Sequence, residues 1–158
     1  MSHISKTEVV VAGIRLNVFG LEQWKLFHIH LALKYKQTFI LWKGNASNLD
    51  TFCYQLADLN NKGETSHNHL IVISFDHVNH GTRLVNENAN LTWADGNMTH
   101  AMDMWSIQYG TARDVSNLID VLPAYLFPDE DASIVMKWGV CGISLGGHSA
   151  FLVLAAGK

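Results

Sequence analysis

Gly142-Ile143-Ser144-Leu145-Gly146 sets a serine between two glycines, after the apolar run Ile134 to Cys141 and before the apolar segment Ala150 to Ala156. Those residue types at that spacing suit nucleophilic attack on an acyl carbon. A serine hydroxyl is a weak nucleophile at neutral pH. It needs an exposed position, a neighbouring base, and N–H donors for the oxyanion that forms. A sharp turn from strand to helix provides exposure and holds the serine in strained backbone, provided that residues two before and two after it have no bulk. Gly142 and Gly146 meet that condition, and Gly147 follows. The N–H of Leu145, at the positive end of the next helix, is the expected oxyanion donor.

Candidates for the base and the acid are less sharply marked. The chain has nine histidines. His148 shares a helical face with Ser144 at i, i+4, but an elbow serine points away from the helix start toward the sheet edge. His80 follows a strand parallel to the elbow strand, so the C-terminal edge of the sheet is where both would lie. Packing of its own loop is the other role open to it. Asp76, Asp103 and Asp114 could each orient a base, and no spacing singles one out. His28-x-His30, His67-x-His69 and His77-x-x-His80 are pairs of metal-binding type, but no cysteine or carboxylate completes a recognised spacing, and no metal is expected. No glycine-rich phosphate loop is present, so no cofactor is expected either.

The elements that must position Ser144 are legible from periodicity. Glu8 to Ala12 and Ile14 to Phe19 are β-prone runs around Gly13, an antiparallel hairpin. Leu26 to Tyr35 alternates as a half-buried strand or a short helix, and Gln37 to Trp42 is a further strand. Leu49, Phe52, Cys53, Leu56 and Leu59 have helical spacing. Leu70 to Phe75 is almost wholly apolar, as expected at the centre of a parallel sheet covered on both faces. A polar loop runs from Asp76 to about Asn97. Met102, Trp105, Ala112, Val115, Leu118, Ile119, Leu122 and Leu126 then mark one or two helices, with a break at Gly110 and an end at Pro123 and Pro128.

Composition bounds the rest. A chain of 158 residues with 48% hydrophobic content can build one packed core. A net charge of -3 without long runs offers no footprint for nucleic acid or anionic membrane, and no apolar stretch has membrane-spanning length. The N-terminal residues lack the apolar core of a signal peptide, so a cytoplasmic protein is expected. Cys53 and Cys141 read as two reduced, buried thiols. Sequons at Asn45, Asn90 and Asn97 read as incidental.

Ile73-Ser74-Phe75-Asp76-His77-Val78-Asn79-His80-Gly81-Thr82-Arg83, together with Gly142 to His148 and the spacer Asp114 to Leu122, resembles the α/β-hydrolase superfamily, in particular a group of fungal serine hydrolases. The resemblance is strongest from Leu70 to Ala156. It implies that Ser144 is the nucleophile, that Leu145 lends an oxyanion N–H, and that Asp76 and His80 shape the loop near the site. Where the family carries a His-Gly pair after its third strand, this sequence has Trp42-Lys43. The implied fold is α/β: an N-terminal hairpin, then a doubly wound, mostly parallel sheet with helices on both faces. In that superfamily the acid and base follow the serine. Residues 1–158 are therefore expected to form a single, C-terminally incomplete domain. The expected function is hydrolysis of a small-molecule ester or related acyl substrate through a Ser144 acyl-enzyme, with this chain itself inactive. The alternative is a non-catalytic form that binds or self-associates through an exposed sheet edge.

Overall fold

The computed structural model describes residues 4–22, 35–43, 49–58, 68–130 and 137–156, with residues 35–43, 49, 68 and 69 described by backbone alone. Strand β1 (Lys6–Val11) alternates exposed and inward residues, and β2 (Ile14–Phe19) buries Ile14, Leu16 and Val18 while Arg15 stays outside. A two-residue turn joins them: Ala12 and Gly13 have φ of 49° and 79°, the left-handed pair that matches strand twist in a tight hairpin. Val11 pairs with Ile14 and Lys6 with Phe19.

Strand β3 (Tyr35–Lys43), helix α1 (Leu49–Asp58), strand β4 (Asn68–Asp76), helix α2 (His100–Leu126), strand β5 (Lys137–Gly142) and helix α3 (Leu145–Ala156) complete the described chain, with two short 3-10 turns, Gly81–Arg83 and Glu87–Asn90, between β4 and α2. The sheet has the order β1-β2-β4-β3-β5.

The doubly wound, mostly parallel sheet expected from the sequence is not what forms. β1, β2 and β4 make an antiparallel three-stranded unit, and only β3 and β5 extend it in parallel. The reason lies in what burial can encode. Ile71 to Phe75 are buried on both faces of the sheet, and a strand so buried reads as the same continuous apolar run whichever way its neighbours point. β4 has one neighbour of each kind: Leu16 of β2 faces Phe75 antiparallel, and Ile40 of β3 faces Ile73 in parallel.

The two faces carry different cores. Val11, Leu16, Val18, Ile71, Ile73 and Phe75 meet Ala112, Val115, Leu118 and Leu122 of α2 and Val153 of α3. Phe19 and Val72 on the opposite face meet Cys53 and Ala57 of α1. Leu118 and Leu122 are essentially inaccessible, and each such side chain contributes about 2 kcal/mol by leaving water. Cys53 is buried and Cys141 half-buried, both as free thiols. Burial pushes the Cys53 thiol up to about 11, against the lowering effect of its hydrogen bond with Ser74. The thiolate form is negligible at neutral pH.

α2 is one helix, not two. Gly110 lies inside it, where a Cβ would stand 3.2 Å from Val78 Cγ2, so the glycine marks the close docking of the β4 exit on the helix. It ends at Leu126, between Pro123 and Pro128, with Pro123 inside it. The ring sits in the last turn, and the Phe127 N–H closes on the Pro123 carbonyl at 2.9 Å. The alternating segment from Leu26 lies outside the described residues as far as residue 34, as does the start of the elbow strand at Ile134.

Candidate active site

The elbow forms where β5 runs into α3. Ser144 has φ of 54°, a left-handed conformation that costs a non-glycine residue about 1 kcal/mol. It is exposed. The turn is tied by hydrogen bonds from Gly146 N to Ile143 O and from Gly147 N to Ser144 O, both 2.9 Å. A Cβ on Gly142 would fall 2.0 Å from the Gly146 carbonyl oxygen and 2.7 Å from Gly147 N, so this position admits only glycine. Leu145 is the first residue of α3. Its N–H has no carbonyl a turn before it to bond within the helix, and it sits at the positive end of the helix dipole.

Strand register fixes what shares the edge with Ser144. Trp42 of β3 pairs with Gly142, and Lys43 pairs with Asp76. The ends of β4, β3 and β5 are therefore level, with Asp76 about 10 Å from Gly142 across two strand spacings. His77 and His80 lie on the loop leaving that edge.

Asp76 Oδ2 accepts from Thr82 N and Thr82 Oγ1, each at 2.8 Å. The loop wraps so closely that a Cβ on Gly81 would meet this carboxylate at 2.4 Å. His80 Nδ1 lies 3.0 Å from Val78 O. Arg83 donates to the Asp76 carbonyl at 3.1 Å and pairs with Asp114 of α2 at 2.8 Å. Asp103 accepts from Thr99 Oγ1 and Asn97 Nδ2 at the start of α2. All three candidate carboxylates are thus engaged in fastening the loop to its surroundings. His148 is exposed on α3, and its N–H closes on the Ser144 carbonyl at 3.3 Å. Among the described residues no histidine or carboxylate is hydrogen bonded to Ser144 Oγ. No group of three His, Cys, Asp or Glu is placed to hold a metal among them. His28, His30 and His67 lie outside the described residues, and His69 is described by backbone alone.

Sequence reasoning missed the residues that stiffen this loop. His77 is fully buried. Thr111 Oγ1 accepts the Val78 N–H at 3.1 Å and lies 3.1 Å from His77 Nδ1. Burial, followed by the positive neighbours His80 and Arg83, lowers the His77 pKa to about 3 against the opposing effect of Asp76. The ring is neutral at any physiological pH. Further along, Asn79 at φ 57° holds Val85 N and Asn86 N with its Oδ1, and its Nδ2 reaches Asn86 O at 2.6 Å. Asn90 and Asn97, two of the sequon asparagines, bond Asn79 O and Leu91 O. The sequence carries no signal for them, because the φ of Asn79 and the bonds of His77 and Thr111 exist only in the folded chain. Thr111→Val keeps the shape and removes both bonds. It is expected to lower the unfolding free energy by about 1 to 3 kcal/mol, measured by urea denaturation. An unchanged midpoint would show that the β4 exit is held elsewhere.

A cavity of about 260 Å3 opens on the α1 face of the sheet. Its charged walls are already paired, Lys6 with Asp50 at 2.6 Å and Arg15 with Glu8 at 3.1 Å, and Ser144 does not line it. No helix among the described residues is long and apolar enough to cross a membrane. Against family models, curated proteins and solved structures alike, the chain finds no match.

Proposed function

We propose that the chain is a cytoplasmic serine hydrolase of α/β-hydrolase kinship, acting on a small-molecule ester or related acyl compound through Ser144. One observation carries the reading: an exposed serine held at φ 54° on a strand-to-helix turn that only glycine at position 142 allows. Ser144 Oγ would attack the acyl carbon, its proton passing to a base, and the alcohol would leave as the acyl-enzyme forms. Water would then release the acid and restore the serine. The Leu145 N–H would hold the oxyanion in both steps. His80 and His148 are the candidate bases, and neither imidazole is hydrogen bonded to Ser144 Oγ. The test is labelling by a fluorophosphonate. Covalent modification at Ser144 is expected, falling to background in Ser144→Ala. A folded protein that never labels would overturn the reading.

A second reading has its own observation. Among the described residues β5 pairs on one side only, with β3, and α3 exposes Phe151 and Leu154, at 75% and 74%, on a helix with no Asp, Glu, Lys or Arg. Open edges and exposed apolar surface favour association. A non-catalytic form that self-associates through this edge would sediment as a dimer or larger species and stay unlabelled.

A further inference from the structure

Two asparagines of the loop between β4 and α2 open intact N-glycosylation signals, Asn90-Leu91-Thr92 and Asn97-Met98-Thr99. A glycan joins such a signal at the amide nitrogen. Nδ2 attacks the anomeric carbon of a sugar activated as a diphosphate, loses one of its two protons, and the diphosphate leaves. The product is bulky and needs open surface around the asparagine.

Asn97 has none. It is 8% exposed, and its Nδ2 donates to the Leu91 carbonyl at 3.2 Å and to Asp103 Oδ2, in the first turn of α2, at 3.0 Å. An amide nitrogen has two protons, so both are engaged. Its Oδ1 accepts from Thr99 N and Thr99 Oγ1, each at 2.9 Å. With two acceptors on one side and a backbone N–H on the other, turning the amide over would face like against like. The asparagine and the threonine of this signal are thus folded against each other where α2 begins.

Asn90 is half-buried and is held by the loop's organising residue. Its Nδ2 donates to the Asn79 carbonyl at 3.0 Å, and its Oδ1 accepts from Asn79 Nδ2 at 3.1 Å. Asn79 at φ 57° in turn holds Val85 N and Asn86 N. A sugar on Asn97 would leave the Leu91 carbonyl or the Asp103 carboxylate without its donor and would have no way out of the turn. A sugar on Asn90 would press on the contact that fixes Asn79. Buried polar groups stripped of partners are costly, and those beside a carboxylate most of all.

We infer that glycan and fold exclude one another at Asn90 and Asn97, so that the native chain belongs to a compartment where N-glycan transfer does not reach it. Transfer to a chain that has not yet folded is not prevented by burial, so entry into a glycosylating compartment would cost this loop its fold. The inference is independent of any chemistry at Ser144. Asn45, of the third signal, lies outside the described residues and takes no part in it.

The test uses a soluble N-glycosyltransferase that adds a single glucose from UDP-glucose to Asn-x-Ser/Thr. Folded protein should take up no glucose at Asn90 or Asn97, read by peptide mass spectrometry. Chain held unfolded in urea should accept it at both. On removal of urea, chain carried through without enzyme should recover the cooperative thermal transition of untreated protein. The fraction bearing glucose at Asn97 should lose that transition or show a midpoint lower by about 5 °C or more. Glucose on Asn90 or Asn97 of folded protein with an unchanged midpoint overturns the inference, as does a glucosylated chain that refolds to the parent midpoint. An unfolded chain that accepts no sugar at either asparagine overturns it too, because the signals would then place no limit on the compartment.

Discussion

Gly142→Ala is expected to lower the unfolding free energy by about 3 kcal/mol or more, toward the upper end of overpacking costs. The added Cβ would stand 2.0 Å from the Gly146 carbonyl oxygen and 2.2 Å from its carbon. Both atoms belong to backbone, so no side chain can swing away. Relief requires either β5 or the first turn of α3 to move, and α3 is held in place by Ser149 on Gln108. Gly147→Ala is the matched control, because its Cβ would meet the Gly142 carbonyl oxygen at an ordinary 3.4 Å. Alanine there gains helix propensity worth up to about 1 kcal/mol. Urea denaturation of the two variants should therefore move the midpoint in opposite directions or leave Gly147→Ala unchanged. Equal stability of Gly142→Ala and the parent would mean that the turn is not built as described.

The second large effect is a loss of stability in mild acid that traces to one ring. His77 binds a proton only at about pH 3 when folded, against an ordinary value of 6.5. The unfolded chain therefore takes up the proton first as pH falls. Stability from this group is complete above about pH 6.5 and is withdrawn progressively between there and pH 3, up to about 5 kcal/mol in all. His77→Phe keeps a buried ring of similar size without a titrating nitrogen. It forfeits the Thr111 bond at every pH, so the slopes, not the absolute stabilities, are compared. Thermal midpoints measured from pH 7 to pH 4 should fall more steeply for the parent than for the variant. Parallel curves would show that acid sensitivity arises elsewhere.

Local patterns carried well into the structure. The β-prone runs of Glu8 to Phe19 around Gly13 became the β1–β2 hairpin, the helical spacing that starts at Leu49 became α1 (Leu49–Asp58), and Gly142 to Gly146 became a turn with its serine at positive φ. What the sequence could not carry was direction and continuity. Whether β4 meets a parallel or an antiparallel neighbour changes hydrogen-bond geometry but not which of its residues are apolar, so the mixed sheet was hidden. A lone glycine costs a helix only about 1 kcal/mol, less than the burial that Ala112 and Val115 gain by continuing through Gly110, so α2 did not break. The site was half legible for a related reason. Ser144 announces itself by its glycine neighbours, whereas Thr111, Asn79 and His77 act across distances in sequence that leave no period to read.

The φ of Ser144 also bears on how this position behaves over evolutionary time. An exposed serine in left-handed backbone takes no packing energy from the core, and no bond of its hydroxyl to a described residue offsets the strain. Glycine would relieve about 1 kcal/mol there, and a single base change in a serine codon of the AGY type suffices to introduce it. Drift under selection for foldability alone therefore runs toward glycine at 144. Serine at 144 is therefore held at a cost to stability that glycine would not incur.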